Sequence, residues 1–153
     1  MANTFTQLHI QLVFAVKGRE NLVKESFRER LQGYICGIVS ERKHKPLAIY
    51  CMPDHTHLLL GLRPTDAVAD LVRDIKSFSS GFINSEHLLP QKFEWQVGYG
   101  AFSYTKSHLP EVIKYILNQA EHHKKRSFKQ EYIDILTKLE IEYDEKYLFD
   151  FLE

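Results

Sequence analysis

Residues 46–62 read PLAIYCMPDHTHLLLGL, and this stretch decides the fold. Leu47 to Met52 is an apolar run, Pro53-Asp54 interrupts it with a tight-turn pair, and His55 to Leu62 resumes it. Two short strands around such a turn predict an antiparallel hairpin. On the second strand, residues i and i+2 share a face, so His55 and His57 project together while Thr56 points the other way.

Working outward, His9 to Val16 (HIQLVFAV) has the apolar, β-branched character of a covered strand, and Lys17-Gly18-Arg19 ends it with a turn signal. Between about Lys24 and Arg42, Phe27, Leu31, Tyr34, Ile35 and Ile38 recur at helical spacing, with bases towards the C-terminal end. After the hairpin, Thr65 reads as an N-cap and Asp66 as a first-turn acid, with Val68, Leu71, Val72, Ile75, Phe78 and Phe82 as the apolar stripe. Phe93-Glu94-Trp95 and Tyr99 to Tyr104 are short strand candidates. Ser107 or His108, followed by Pro110-Glu111, starts a third helix running to about His123. The order β-α-β-β-α-β-(β)-α, without repeats or linkers, predicts an α+β fold: a ferredoxin-like antiparallel sheet with helices on one face, plus the third helix.

A chain of 153 residues suits one domain, and 44% hydrophobic with 26% charged residues supports one packed core and excludes global disorder. No apolar run is long enough for a membrane span, and no secretory leader is evident at the N-terminus, so a cytoplasmic protein is expected. Cys36 and Cys51 lie apart in apolar sequence and read as reduced, buried thiols. The formal charge is zero, yet residues 131–153 hold eight acids and two bases, which leaves residues 1–130 at +6 and the tail at −6. A basic body with an acidic tail points to a polyanionic partner for the body.

Two imidazoles on one strand face can chelate a metal ion, but a full site needs another ligand. Tyr115 and Gln119 are four residues apart on the third helix, at the border of the stripe Val112, Ile113, Ile116, Leu117 and Ala120. Spacing alone does not choose among the eight tyrosines. His122 and His123, beside Lys124-Lys125-Arg126, read as a basic helix end that complements the helix dipole.

MPDHTHLLL, LVRDIKSFSS and VIKYILNQ, in that order, resemble the single-tyrosine HUH transposases of small bacterial insertion sequences, a group that includes repeat-associated tyrosine transposases. The similarity spans about His9 to His123. The resemblance implies that His55, His57 and Gln119 hold a divalent ion, Mg²⁺ or Mn²⁺, and that Tyr115 is the nucleophile forming a 5′-phosphotyrosine link to single-stranded DNA with hairpin ends. It also implies a homodimer in which the tyrosine helix of one chain completes the histidine site of the other. Thr56 departs from the pattern, which has a bulky hydrophobic residue there; its consequence falls on the packing beneath the strand.

Arg73, Lys76, Ser77, Ser79, Lys124, Lys125 and Arg126 are the expected DNA contacts, with Lys129 and the group Arg42, Lys43 and Lys45 beside them. Trp95, Phe102 and Tyr104 are candidates for stacking on bases. Two other readings stay open: a hairpin-binding relative without transposition, and a metallohydrolase that adds Asp54 to the histidines. The expected organisation is one catalytic domain over 1–126 and an acidic extension over 127–153, packed on the domain or the dimer partner and away from DNA.

Overall fold

Strand β1 (His9–Ala15) runs through the middle of the sheet in a computed structural model that describes residues 3–18 and 20–151. It pairs antiparallel with β3 (His55–Gly61) on one side and β4 (Gly100–Tyr104) on the other; β2 (Lys45–Cys51) pairs with β3. The strand order is β2-β3-β1-β4, with α1 (Glu25–Glu41) and α2 (Val68–Ser85) as the two crossovers, which is the ferredoxin-like arrangement. The Pro53-Asp54 turn is anchored from outside the hairpin, because the Val16 and Val23 amides donate to its two carbonyls. Arg19, in the turn predicted after β1, lies outside the described residues.

Alternation along the strands sorts the side chains onto two faces. Ile10, Leu12, Phe14, Leu58 and Leu60 meet Phe27, Leu31 and Ile35 of α1 and Leu71 and Ile75 of α2 in the main core. Burying each such side chain contributes about 1.5–3 kcal/mol, so this layer dominates stability. Thr56 is buried on the same side and registered opposite Cys51, whose thiol burial pushes up to about 12. Tyr34, expected in the stripe of α1, instead sits at its edge and stacks on Phe82 at 4.3 Å.

The other face of the sheet has two covers. Ile116 of α3 (Leu109–Leu117) packs on Ala48 and Leu59, and Phe128, Tyr132 and Leu136 of α5 (Phe128–Lys138) pack on Val13, Ala15 and Phe102. Ser127 caps α5, its hydroxyl accepting from the Gln130 amide.

Three boundaries differ from the sequence expectation. Helix α2 is capped at Ala67 rather than Thr65; the Asp66 carboxylate accepts a hydrogen bond from buried His44 at 2.8 Å instead of serving the first turn. The third helix breaks at Asn118 into α3 and a single turn, α4 (Gln119–His122). Phe93-Glu94-Trp95 forms no strand; only Trp95 bridges Val16. Among the described residues, no helix is long and apolar enough to cross a membrane.

Candidate active site

β3 delivers His55 and His57 to the face covered by α3, α4 and α5, and both rings are fully buried with centroids 5.1 Å apart. Each is fixed at its outer nitrogen. His55 Nδ1 donates to Asp54 Oδ1 at 2.7 Å, from the hairpin turn. His57 Nδ1 donates to Gln11 Oε1 at 2.8 Å, and the Gln11 amide nitrogen donates in turn to the Tyr104 hydroxyl at 3.1 Å. The inner nitrogens, both Nε2, therefore face the same space.

That space holds the Glu131 carboxylate, brought by α5. Its Oε1 lies 3.0 Å from His57 Nε2, 3.4 Å from His55 Nε2 and 3.1 Å from His123 Nε2. Its Oε2 accepts from the Gln119 amide nitrogen at 3.1 Å and, in a short hydrogen bond, from the Tyr115 hydroxyl. The Gln119 carbonyl lies 3.3 Å from His55 Nε2 and 3.0 Å from His123 Nε2. The break at Asn118 does not separate Tyr115 from Gln119; both reach one carboxylate. Arg126 completes the group, donating from Nη2 to the Tyr115 oxygen at 3.0 Å and from Nη1 to Asp134 at 2.6 Å.

The electrostatics follow from this packing. Burial opposes charge on His55, but the Asp54 and Glu131 carboxylates outweigh it and lift its pKa to about 9. Burial lowers the pKa of His57, and the neighbouring His55 and His123 oppose its protonation as well. Glu131 is buried, yet the three histidines around it hold its carboxyl far below the usual carboxylate range. Burial first, then the Glu131 charge, raises the Tyr115 phenol above its ordinary value, against the pull of Arg126.

His57 gives its Nδ1 proton to Gln11, which leaves its Nε2 facing Glu131 Oε1 at 3.0 Å. His55, His57 and Glu131 can each offer a ligand atom within 4.8 Å of the others, with the Gln119 carbonyl alongside, and this nitrogen and oxygen set fits a divalent metal ion.

Residues 4–119, most of the chain, match the family described as Transposase IS200 like. The chain belongs to the IS200-like transposase family. The transposase is also similar to the ISDra2 transposase TnpA of Deinococcus radiodurans, 25% identical over 118 residues that cover 74% of this chain and 84% of the relative. A Deinococcus radiodurans R1 crystal structure described as a transposase superposes with a TM-score of 0.63 at 23% identity, covering 78% of this chain and 95% of that one. A REP-associated tyrosine transposase bound to a REP hairpin superposes with a TM-score of 0.60 at 15% identity, covering 80% and 73%.

The structure brings His55, His57, Gln119 and Tyr115 together. It adds two residues that sequence reading assigned elsewhere. His123, read as part of a basic helix end, points into the site, and Glu131, counted with the acidic tail, sits at its centre. Asp54 touches the outer nitrogen of His55 and so orients a histidine rather than joining the inner cluster.

Several expected DNA contacts have other partners. Ser79 is fully buried, bonding the Ile75 carbonyl and accepting from the Trp95 indole, so it has no free surface for DNA. The Lys76 ammonium is spent on the Gln96 and Gly98 carbonyls, and burial lowers its pKa to about 8. Arg126 turns to Tyr115. Trp95 and Phe102 are buried in the core, and the half-buried Tyr104 bonds Gln11, so the three are used inside the fold rather than held out to bases. Arg73, Ser77, Lys124 and Lys125 remain on the surface.

Proposed function

We propose that this transposase is a divalent-metal-dependent enzyme that cleaves and rejoins single-stranded DNA at hairpin-bearing ends through a 5′-phosphotyrosine link to Tyr115. The observation that carries the reading is the convergence of the Tyr115 hydroxyl, Gln119 and both inner histidine nitrogens on one buried carboxylate. A phenol is a poor nucleophile at neutral pH, and a site that assembles it beside a cation-binding set answers that need. The likeness to a transposase bound to a REP hairpin agrees with a hairpin substrate.

His55, His57, Glu131 and the Gln119 carbonyl would hold the ion. Bound there, Mg²⁺ or Mn²⁺ supplies Lewis-acid polarisation of a scissile phosphate. The chain's own residues do the positioning. Asp54 and Gln11 fix the two imidazoles, Gln119 and Glu131 hold the tyrosine against the histidines, and Tyr115, half-buried, presents its oxygen at the border between interior and surface. Arg73, Ser77, Lys124 and Lys125 are the DNA-backbone contacts in this reading. The exposed pairs of Arg73 with Asp70 and Lys124 with Glu121 contribute little to stability and can be exchanged for phosphates.

The test is adduct formation on a hairpin-bearing single-stranded oligonucleotide. Wild type with Mg²⁺ or Mn²⁺ should give a covalent protein–DNA species on a denaturing gel, and chelator or Tyr115→Phe should abolish it while hairpin binding persists. An adduct that survives Tyr115→Phe, or cleavage indifferent to chelator, sinks the reading.

A further inference from the structure

The Tyr115 oxygen stands between two groups of opposite charge. Its proton points to Glu131 Oε2, and its lone pair accepts from the Arg126 guanidinium at 3.0 Å. Arg126 does not hang free in this position. Its other arm is tied to Asp134 at 2.6 Å, and Asp134 is itself braced by the Gln130 side chain at 2.7 Å, one turn earlier on α5. Arg126 also directly precedes Ser127, the residue that caps α5, so its backbone is fixed by the start of that helix. Its side chain is one-third exposed, so the guanidinium is reached by solvent as well as by the tyrosine. Both Arg126 and its anchor lie beyond residues 4–119, the part of the chain that matches the family.

We propose that Arg126 is a catalytic residue that carries the negative charge on the Tyr115 oxygen when the phosphotyrosine bond forms and when it breaks. The assignment rests on the transposase reading above. In cleavage, the Tyr115 oxygen bonds to phosphorus and the bond from phosphorus to the 3′ oxygen breaks. The phenol proton is lost to water while Glu131 stays ionised, and the 3′ oxygen leaves with its electron pair and takes a proton from water. In rejoining, a 3′-hydroxyl attacks, losing its proton to water, and the tyrosine leaves with the electron pair and recovers its proton from water. In both directions charge develops on an oxygen that already adjoins an anion, and such charge needs a fixed cation. A guanidinium is always charged, and its fork bonds the tyrosine oxygen with one arm while Asp134 holds the other. Preorganised donors of this kind, aimed at developing charge, cost no rearrangement at the moment of reaction.

The rival assignments are a phosphate contact, as the basic cluster Lys124-Lys125-Arg126 first suggests, and a purely structural tie through Asp134. The experiment uses the full chain with Mn²⁺ and a hairpin-bearing single-stranded oligonucleotide, measuring the single-turnover rate of adduct formation against DNA concentration for wild type, Arg126→Ala and Arg126→Lys. For Arg126→Ala, the expected result is a fall of about 10²–10³-fold in the plateau rate, the usual effect of removing one charge-stabilising donor. The half-saturating DNA concentration should stay within about 3-fold, rejoining should slow in parallel, and millimolar guanidinium should restore part of the rate. Arg126→Lys should fall between the two.

A raised half-saturating concentration with an unchanged plateau makes Arg126 a phosphate contact and overturns the proposal. Equal loss in both variants without rescue by guanidinium makes it a tie for α5 and overturns it too. If wild type forms no adduct, the transposase reading fails and takes this assignment with it; an adduct insensitive to Arg126 removes the assignment alone.

Discussion

Each imidazole of the β3 pair is held by a different kind of acceptor, and the difference has consequences. Asp54 is a carboxylate and favours a charged His55; Gln11 is neutral and only fixes the proton of His57 on Nδ1. Losing a support of this kind usually costs 10- to 100-fold in metal affinity, so Gln11→Leu should weaken Mn²⁺ binding by about that factor, read by titration calorimetry. Equal affinity in wild type and variant would contradict the role. For His55 the sign is opposite to that of an ordinary buried histidine. Its folded pKa of about 9 exceeds the ordinary histidine value of 6.5, so its contribution to stability is complete below 6.5 and is lost as pH rises through 9. Urea unfolding of the metal-free protein at pH 6 and pH 9.5 should show that loss in wild type and much less of it in Asp54→Asn.

At the scale of elements, α5 is the part that most changes the sequence reading. It docks through Phe128, Tyr132 and Leu136, joined by Phe149, and Phe128 stacks flat on His55 at 3.8 Å. Gly100, at the start of β4, permits this docking: a Cβ there would lie 2.7 Å from the Tyr132 hydroxyl and 2.8 Å from the Phe102 ring. Gly100→Ala should therefore cost about 1–3 kcal/mol by overpacking. Hydrogen exchange should quicken across 128–138 while β3 keeps its protection; unchanged exchange in α5 would count against this view. The hairpin at 46–62 and the paired histidines were legible because alternation and a Pro-Asp turn are local signals. So were Tyr115 and Gln119, through helical spacing together with family resemblance. The partner of Asp66 was not, because it is a histidine 22 residues away. Glu131 was not, because its place is set by packing against His57, 74 residues earlier, and nothing near it in sequence separates it from the other acids of the tail.

For the whole molecule, the split of charge between body and tail takes on a different meaning. Two acids of the tail do not face solvent repulsively; Glu131 neutralises the histidine cluster and Asp134 anchors Arg126. These contacts also tie the tyrosine to its own chain. Tyr115 bonds Glu131 and Arg126, while α3 packs on β2 and β3 through Ile116, Ala48 and Leu59. A tyrosine helix exchanged between two chains would have to break each of these contacts and remake it with the partner's residues. We therefore expect an active unit that is complete within one chain, whatever the oligomeric state. Mixing Tyr115→Phe with His57→Ala tests this, because each variant lacks what the other retains. Completion within one chain predicts that the mixture forms no more covalent adduct than either variant alone. Shared sites would restore adduct, and the radiolabelled DNA would then be carried by the His57→Ala chain, the one that still has its tyrosine. A size tag on one variant identifies that chain on the same gel, and adduct on it would show that the helix swaps.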